Sequence, residues 1–137
     1  MSLSIKKEIT VEFFDVDSMQ IVWNGKYFDY FEVARSALFD KLGIDYYTLA
    51  TLGYQFPLVK NSAKYIKPLR FHQTAIVKAT LTEYEYLFEV RFEIREKESR
   101  SITTKGSSTQ MACSLEGESL GKIPDELVQR IRMHDES

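Results

Sequence analysis

The chain has 137 residues, of which 44% are hydrophobic and 28% charged, with a formal net charge of −2. That length and composition describe one globular domain, 1–137, that needs neither metal nor disulfide to fold, and they exclude a disordered tail and a non-specific nucleic-acid binder held by bulk positive charge. The single cysteine, Cys113, excludes an intramolecular disulfide and fits a reducing compartment.

Ile9, Val11 and Phe13 alternate with Thr10 and Glu12, which predicts a half-buried first strand. The period then changes. Tyr27, Tyr30, Phe31, Ala34, Leu38 and Leu42 recur at helical spacing, with Phe28, Val33, Ala37 and Phe39 widening the apolar surface. This predicts a helix from about Lys26 to Leu42, ended by Gly43 and apolar enough all round for deep burial. A short helical turn is expected over Tyr46 to Leu52. Phe56 to Ile66 reads as extended, interrupted near Pro57 and bounded by Pro68. Ala75, Val77, Ala79 and Leu81 alternate with polar neighbours, and Tyr86, Phe88, Val90, Phe92 and Ile94 form the cleanest strand pattern. A turn at Glu96 to Arg100 leads to a weaker strand, Ile102 to Leu115, in which Gly106 signals a bulge or a close approach. Pro124, Asp125 and Glu126 open a short helix that ends with Arg130 and Arg132, the charge order the helix dipole favours. Strand, long helix and about four more strands predict an α+β domain, a curved antiparallel sheet of about five strands folded around one central helix.

The chemistry concentrates between Phe13 and Arg35. Asp15 and Asp17 follow the first strand, and Trp23, Asn24 and Gly25 lead directly into the long helix. A carboxylate near a helix N-terminus faces unpaired backbone N–H groups and the positive end of the dipole, where a developing oxyanion can be held. That is the minimal equipment for acyl transfer. Asp17 can attack a thioester carbonyl or deprotonate a water, or cap a turn. Asp15 suits ordering the loop by hydrogen bonds. Trp23 and Tyr27 can line a pocket or pack in the core. There is no Gly-rich phosphate loop, and His72 and His134 with one cysteine make a poor zinc set. Met1 to Lys7 lacks a signal-peptide core and no apolar run reaches the length of a membrane span, so a soluble cytoplasmic protein is the expectation.

The segment Asp15-Val16-Asp17 with Val22, Trp23, Asn24 and Tyr27 resembles the D-x-D-x-x-G-x-V-aromatic pattern of hotdog-fold acyl-CoA thioesterases of the 4-hydroxybenzoyl-CoA thioesterase type. Tyr65-Ile66-Lys67-Pro68-Leu69-Arg70-Phe71 resembles a second landmark of that family, and the likeness spans about residues 5 to 115. The resemblance implies a hotdog fold, hydrolysis of an acyl-CoA to free acid and coenzyme A, and no retained cofactor, coenzyme A being part of the substrate. It implies that Asp17 is the catalytic carboxylate and that the backbone N–H at Asn24 binds the oxyanion, with Asp15, Trp23, Gly25 and Tyr27 around the substrate. Lys60, Lys64 and Arg70, with Lys67, are candidates for the phosphates of coenzyme A. It also implies homodimers or tetramers joined at sheet edges, with the active site between subunits; the charge and the short apolar runs point to neither nucleic acid nor membrane as a partner. Two rival readings are a non-catalytic acyl-CoA binding protein and a thioesterase acting on acyl carrier protein. The chain departs from the pattern where Gln20 replaces the usual glycine, where Asn24 replaces a frequent histidine and where His72 replaces a frequent Asp. Asn cannot titrate near neutrality, which weakens a mechanism needing a histidine. Cys113 is expected to be buried and inert.

Overall fold

The computed structural model describes residues 3–135. Strand β1 (Ser4–Thr10) leads through one turn of 3-10 helix (Phe13–Asp15) to the long helix α1 (Lys26–Lys41) and the short helix α2 (Tyr46–Thr51). Strands β2 (Tyr54–Gln55), β3 (Leu58–Tyr65), β4 (Thr74–Glu83), β5 (Phe88–Glu96), β6 (Ile102–Gln110) and β7 (Cys113–Ser114) follow, and helix α3 (Asp125–Asp135) comes last. Five strands form one antiparallel sheet in the order β1-β4-β5-β6-β3, and β2 pairs with β7 in a separate ribbon. This is the α+β hotdog arrangement.

Period-2 alternation sets which face is inner. Phe88, Val90, Phe92 and Ile94 of β5 are buried, as are Ala75, Val77, Ala79 and Leu81 of β4. α1 lies across this face through Tyr27, Phe31, Ala34 and Leu38. Phe31 stacks on Phe92 with ring centroids 4.4 Å apart. Burying an aromatic side chain this completely contributes about 1.5–3 kcal/mol. Gly106 of β6 makes the stack feasible: a Cβ there would lie 2.4 Å from the Phe31 ring. Of the two expectations for Gly106, close approach is the one realised. The register shifts instead fall between Leu58 and Lys60, Leu81 and Glu83, and Ile94 and Arg95.

The structure corrects several other expectations. The first strand stops at Thr10, and Phe13 is exposed rather than half-buried. Its chain turns because the Asp15 carboxylate takes the Glu12 N–H while the Asp15 N–H bonds the Glu12 carbonyl. α1 is not buried all round. Asp29, Glu32, Val33, Ser36 and Asp40 form an exposed flank at helical spacing. The predicted strand Ile102 to Leu115 divides into β6 and β7. α3 runs past Arg132 to Asp135. Cys113 is buried. No helix among the described residues is long and apolar enough to cross a membrane.

Candidate active site

Two carboxylates of one short motif lie in opposite environments. Asp15 is 2% exposed. Its Oδ2 accepts hydrogen bonds from the Tyr30 hydroxyl (2.9 Å) and the Glu12 N–H (3.0 Å), and its Oδ1 lies 3.2 Å from Lys26 Nζ. Lys26 also reaches Asp29 at 3.3 Å. Burial pushes the Tyr30 phenol well above its ordinary pKa, and the Asp15 carboxylate adds to the shift. For Lys26, partial desolvation pulls its pKa down, but Asp15 and Asp29 outweigh it and leave the ammonium above its usual value. Asp15 thus ties the loop to the first turn of α1, the ordering role its position suggested. From sequence, Tyr30 is taken only as an apolar position of the helix and Lys26 only as its start. Their i, i+4 spacing at the helix start was the signal that put them on one side.

Asp17 is exposed. It begins a tight turn in which Gln20 N–H bonds the Asp17 carbonyl and Asp17 N–H bonds the Ile21 carbonyl, both at 2.9 Å. Asp17 Oδ1 accepts the Met19 N–H at 2.8 Å, and Oδ2 has no partner among the described residues. The turn sits on a small hairpin through the Val16 to Val22 bridge, and Ile21 bridges to Arg70. Gln20 has φ of +66°, the left-handed conformation that glycine adopts without penalty. Gln20 thus holds a backbone conformation that a glycine would adopt without strain.

The hairpin delivers the chain to the α1 N-terminus. Gly25 is the N-cap, and no side chain caps the helix. No hydrogen bond to the Asn24 or Gly25 N–H is present among the described residues. The Asn24 carbonyl accepts the Tyr65 hydroxyl at 2.9 Å. Trp23 is half exposed, and its ring lies across Gly25, where a Cβ would sit 2.0 Å from a ring carbon. Gly25 is what lets Trp23 fold over the helix start. Tyr27 is buried, its hydroxyl accepting the Leu69 N–H at 3.1 Å and its ring centroid 5.2 Å from that of Tyr65. Burial raises the Tyr27 phenol, against the lowering effect of that N–H. Ile21, Asn24, Tyr27, Tyr65 and Pro68 line a cavity of about 280 Å³ at this end of β3. Ile21, Tyr65 and Pro68 are lining residues whose part was not read from sequence.

The cation candidates are more dispersed. Register pairs Lys60 with Thr109 and Lys64 with Lys105, on the outer face of the sheet, while Tyr65 and Ala63 face inward. Arg70 is exposed beside Ile21, and His72, at φ +76°, stacks on Phe71. A second cavity, about 570 Å³, opens between α1, α2 and the start of β3. Phe39, Leu49 and Phe56 line it together with Arg35, Tyr46 and Gln110. Arg35 is largely buried and bonds Glu32; burial lowers its pKa against the raising effect of that carboxylate. Gln110 donates to the Phe56 carbonyl, and its Oε1 is buried without a partner among the described residues.

Comparison with known proteins agrees with the fold. A family model described as the thioesterase-like superfamily matches residues 11–131. A Bacillus subtilis (strain 168) protein named "Putative acyl-CoA thioesterase YneP" is 37% identical over 79 residues, which are 58% of this chain and 57% of that protein. The match thus spans little more than half of that relative's length. Among solved structures, Slr0204 of Synechocystis, a 1,4-dihydroxy-2-naphthoyl-CoA thioesterase, superposes with a TM-score of 0.85 at 18% identity, covering 96% of this chain and 98% of its own. A DHNA-CoA thioesterase from Staphylococcus aureus gives 0.82 at 23% identity, covering 97% and 93%. At these identities the two structures establish a common fold.

Proposed function

Because the chain belongs to the thioesterase-like superfamily, we propose that it hydrolyses acyl-CoA thioesters to a carboxylic acid and coenzyme A. The observation that carries the reading is the pairing of an exposed carboxylate, Asp17, with an uncapped helix N-terminus one short hairpin away. The thioester carbonyl oxygen is received by the Asn24 and Gly25 N–H groups, which have no internal partner to give up, at the positive end of α1. Asp17 Oδ2 either attacks the carbonyl carbon, forming a mixed anhydride that water then opens at the Asp17 carboxyl carbon, or deprotonates a water that attacks the carbonyl carbon and adds its oxygen to the acid. In either case the C–S bond breaks and the coenzyme A thiolate leaves. A single turnover in ¹⁸O-water separates the two routes, since only the direct route leaves label in the Asp17 carboxylate. Trp23, Tyr27 and Tyr65 wall the thioester. Lys64, Lys67 and Arg70 flank that end of β3 and suit the phosphates, whereas Lys60, four residues farther back along the strand, is the weaker candidate.

The same reading makes the active unit a dimer. β3 is an edge strand with exposed Leu58, Val59 and Tyr65, and an edge of this kind invites pairing. Antiparallel pairing of β3 with a second copy brings the Tyr65 end of one chain to the Leu58 end of the other. The thioester site then meets the partner's 570 Å³ cavity, whose apolar floor of Phe39, Leu49 and Phe56 suits the acyl group.

A hydrolysis screen over acyl-CoAs of graded length and aryl-CoAs, reading released thiol, tests the activity. At least one substrate should be turned over by the wild type and not by Asp17→Asn. Binding without turnover across the panel would make the protein a non-catalytic acyl-CoA binder. Sedimentation at micromolar concentration should give a dimer or tetramer; a monomer mass would remove the shared site.

A further inference from the structure

The peptide that joins Asn24 to Gly25 carries one of the two N–H groups assigned to the thioester oxygen, and its other end is held from a distant part of the chain. Gly25 has helical dihedrals, φ −67° and ψ −23°. The helix ladder nevertheless passes the Asn24 carbonyl by: the Lys26 N–H goes to the Trp23 carbonyl at 3.0 Å and the Phe28 N–H to the Gly25 carbonyl at 3.3 Å. Among the described residues the partner of the Asn24 carbonyl is the Tyr65 hydroxyl, which donates to it at 2.9 Å. A trans peptide is planar, with its C=O and N–H pointing opposite ways, so fixing this carbonyl fixes the direction of the Gly25 N–H. Tyr65 is itself firmly held. It is the last residue of β3, in register with Thr104, and the next two N–H groups, of Ile66 and Lys67, both bond the Thr103 carbonyl, at 2.8 and 3.1 Å. Its ring lies 5.2 Å from that of Tyr27, whose hydroxyl accepts the Leu69 N–H. The restraint is thus mounted on the sheet and not on the loop it restrains. Folding does not call for it. Tyr65 is 41% exposed, and water can satisfy a carbonyl so near the surface. What water cannot supply is direction.

We infer that the Tyr65 hydroxyl aims the Gly25 N–H at the thioester oxygen, which makes Tyr65 a positioning residue for hydrolysis. The inference rests on the thioesterase reading for its purpose. A hydrogen bond weakens steeply as its angle closes, and an oxyanion donor contributes most when it is aimed before the reaction begins. Gly25 is required beneath the Trp23 ring, but a glycine has no Cβ to limit rotation of the peptide that precedes it. Tyr65 restores the restraint that the missing side chain gives up. Its hydroxyl meets the end of the peptide remote from the thioester oxygen, so it acts through the peptide and passes no proton to the reaction. Charge on that oxygen grows as the tetrahedral intermediate forms, so the benefit of aim falls on kcat more than on substrate binding.

Tyr65→Phe keeps the ring and removes only the hydroxyl. On the acyl-CoA that the wild type turns over fastest, kcat should fall about tenfold, short of the roughly 100-fold or more that loss of an oxyanion donor itself costs. KM should change less than about twofold, the mark of an interaction made in the transition state, and Tm should be nearly unchanged. A second measurement reads the peptide directly. Asn24-Gly25 is the single Asn-Gly step in the chain, so labelling asparagine with carbonyl ¹³C and glycine with ¹⁵N gives one carbonyl–nitrogen NMR signal, from this peptide alone. In the ligand-free protein, Tyr65→Phe should move its ¹³C resonance upfield, the direction of a lost hydrogen bond to the carbonyl. A moved signal with wild-type kcat would show a bond that aims nothing for catalysis. An unmoved signal would show that the bond is not kept in solution. A raised KM at wild-type kcat would make the hydroxyl a substrate contact. Each of these three overturns the inference and leaves the thioesterase reading standing, whereas a wild type inactive on every acyl-CoA sinks that reading and the inference with it.

Discussion

Asp15 and Asp17 stand two residues apart, yet one is locked and the other is open. Asp15 is fully enclosed, with hydrogen bonds from Tyr30 and Glu12 and the charge of Lys26 beside it. Asp17 is exposed, held by one backbone N–H on one oxygen, with the other oxygen unengaged. A carboxylate enclosed in this way is anchored, and its burial keeps it from reaching a substrate. A carboxylate fixed on one oxygen only is both oriented and available. The pair therefore divides the labour of a loop, one acid anchoring it to α1 and its neighbour facing outward.

Exchanging the two acids one at a time breaks the comparison most sharply. Asp17→Asn should fold with unchanged Tm and lose at least about 100-fold in kcat, since general acid–base or nucleophilic groups typically supply this much. Asp15→Ala should do the reverse in kind. It strands the Tyr30 hydroxyl and the Glu12 N–H and should cost about 2–4 kcal/mol of stability by denaturant titration. Little of that comes from Lys26, which is partly solvated. Should Asp15→Ala keep wild-type stability while abolishing turnover, the roles assigned to the two acids are exchanged.

Tyr30→Phe tests the anchor more gently, with a cost of about 1–2 kcal/mol and a pH signature. The folded-state pKa of Tyr30 is raised. Below the unfolded phenol's value of about 10 both states keep the proton, and its stabilisation is complete. As pH rises further, the unfolded chain loses protons that the native state retains, so stability falls. Urea midpoints between pH 8 and 11 should therefore decline less steeply for Tyr30→Phe than for wild type. Equal slopes would mean that the Tyr30 phenol is no harder to ionise in the folded state.

Much of this architecture is legible in the sequence because it is local. The alternation of Phe88, Val90, Phe92 and Ile94 reports one buried face, and the spacing of Tyr27, Phe31, Ala34 and Leu38 reports the helix that covers it. What escapes is whatever depends on distant segments meeting. Paired strands of two residues, β2 and β7, are too short to carry a period. The bond from Tyr30 to Asp15 requires the chain to reverse between them. Phe13 continues the alternation of β1 but lies beyond its end, because a side chain and not the pattern stops the strand. The pairing of Lys64 with Lys105 exists only once β3 and β6 adopt their register.

The smallest expected effect concerns the turn that presents Asp17. Gln20 closes it at φ +66°. A left-handed conformation costs a residue with a Cβ about 1–2 kcal/mol, and glycine escapes this while losing about 0.5–1 kcal/mol in greater unfolded-state freedom. Gln20→Gly should therefore raise stability by up to about 1.5 kcal/mol and leave kcat/KM equal or higher, since the hydrogen bonds from Gln20 and Met19 that orient Asp17 come from the backbone. Gln20→Pro should damage activity, because a proline ring cannot reach positive φ and removes the N–H that closes the turn. A fall of more than about tenfold in kcat/KM for Gln20→Gly, roughly 1.4 kcal/mol of transition-state stabilisation, at unchanged stability, would give the Gln20 side chain a contact with the substrate. The open acid would then not work alone at the mouth of the site, and the contrast between a locked and an available carboxylate would need a third member.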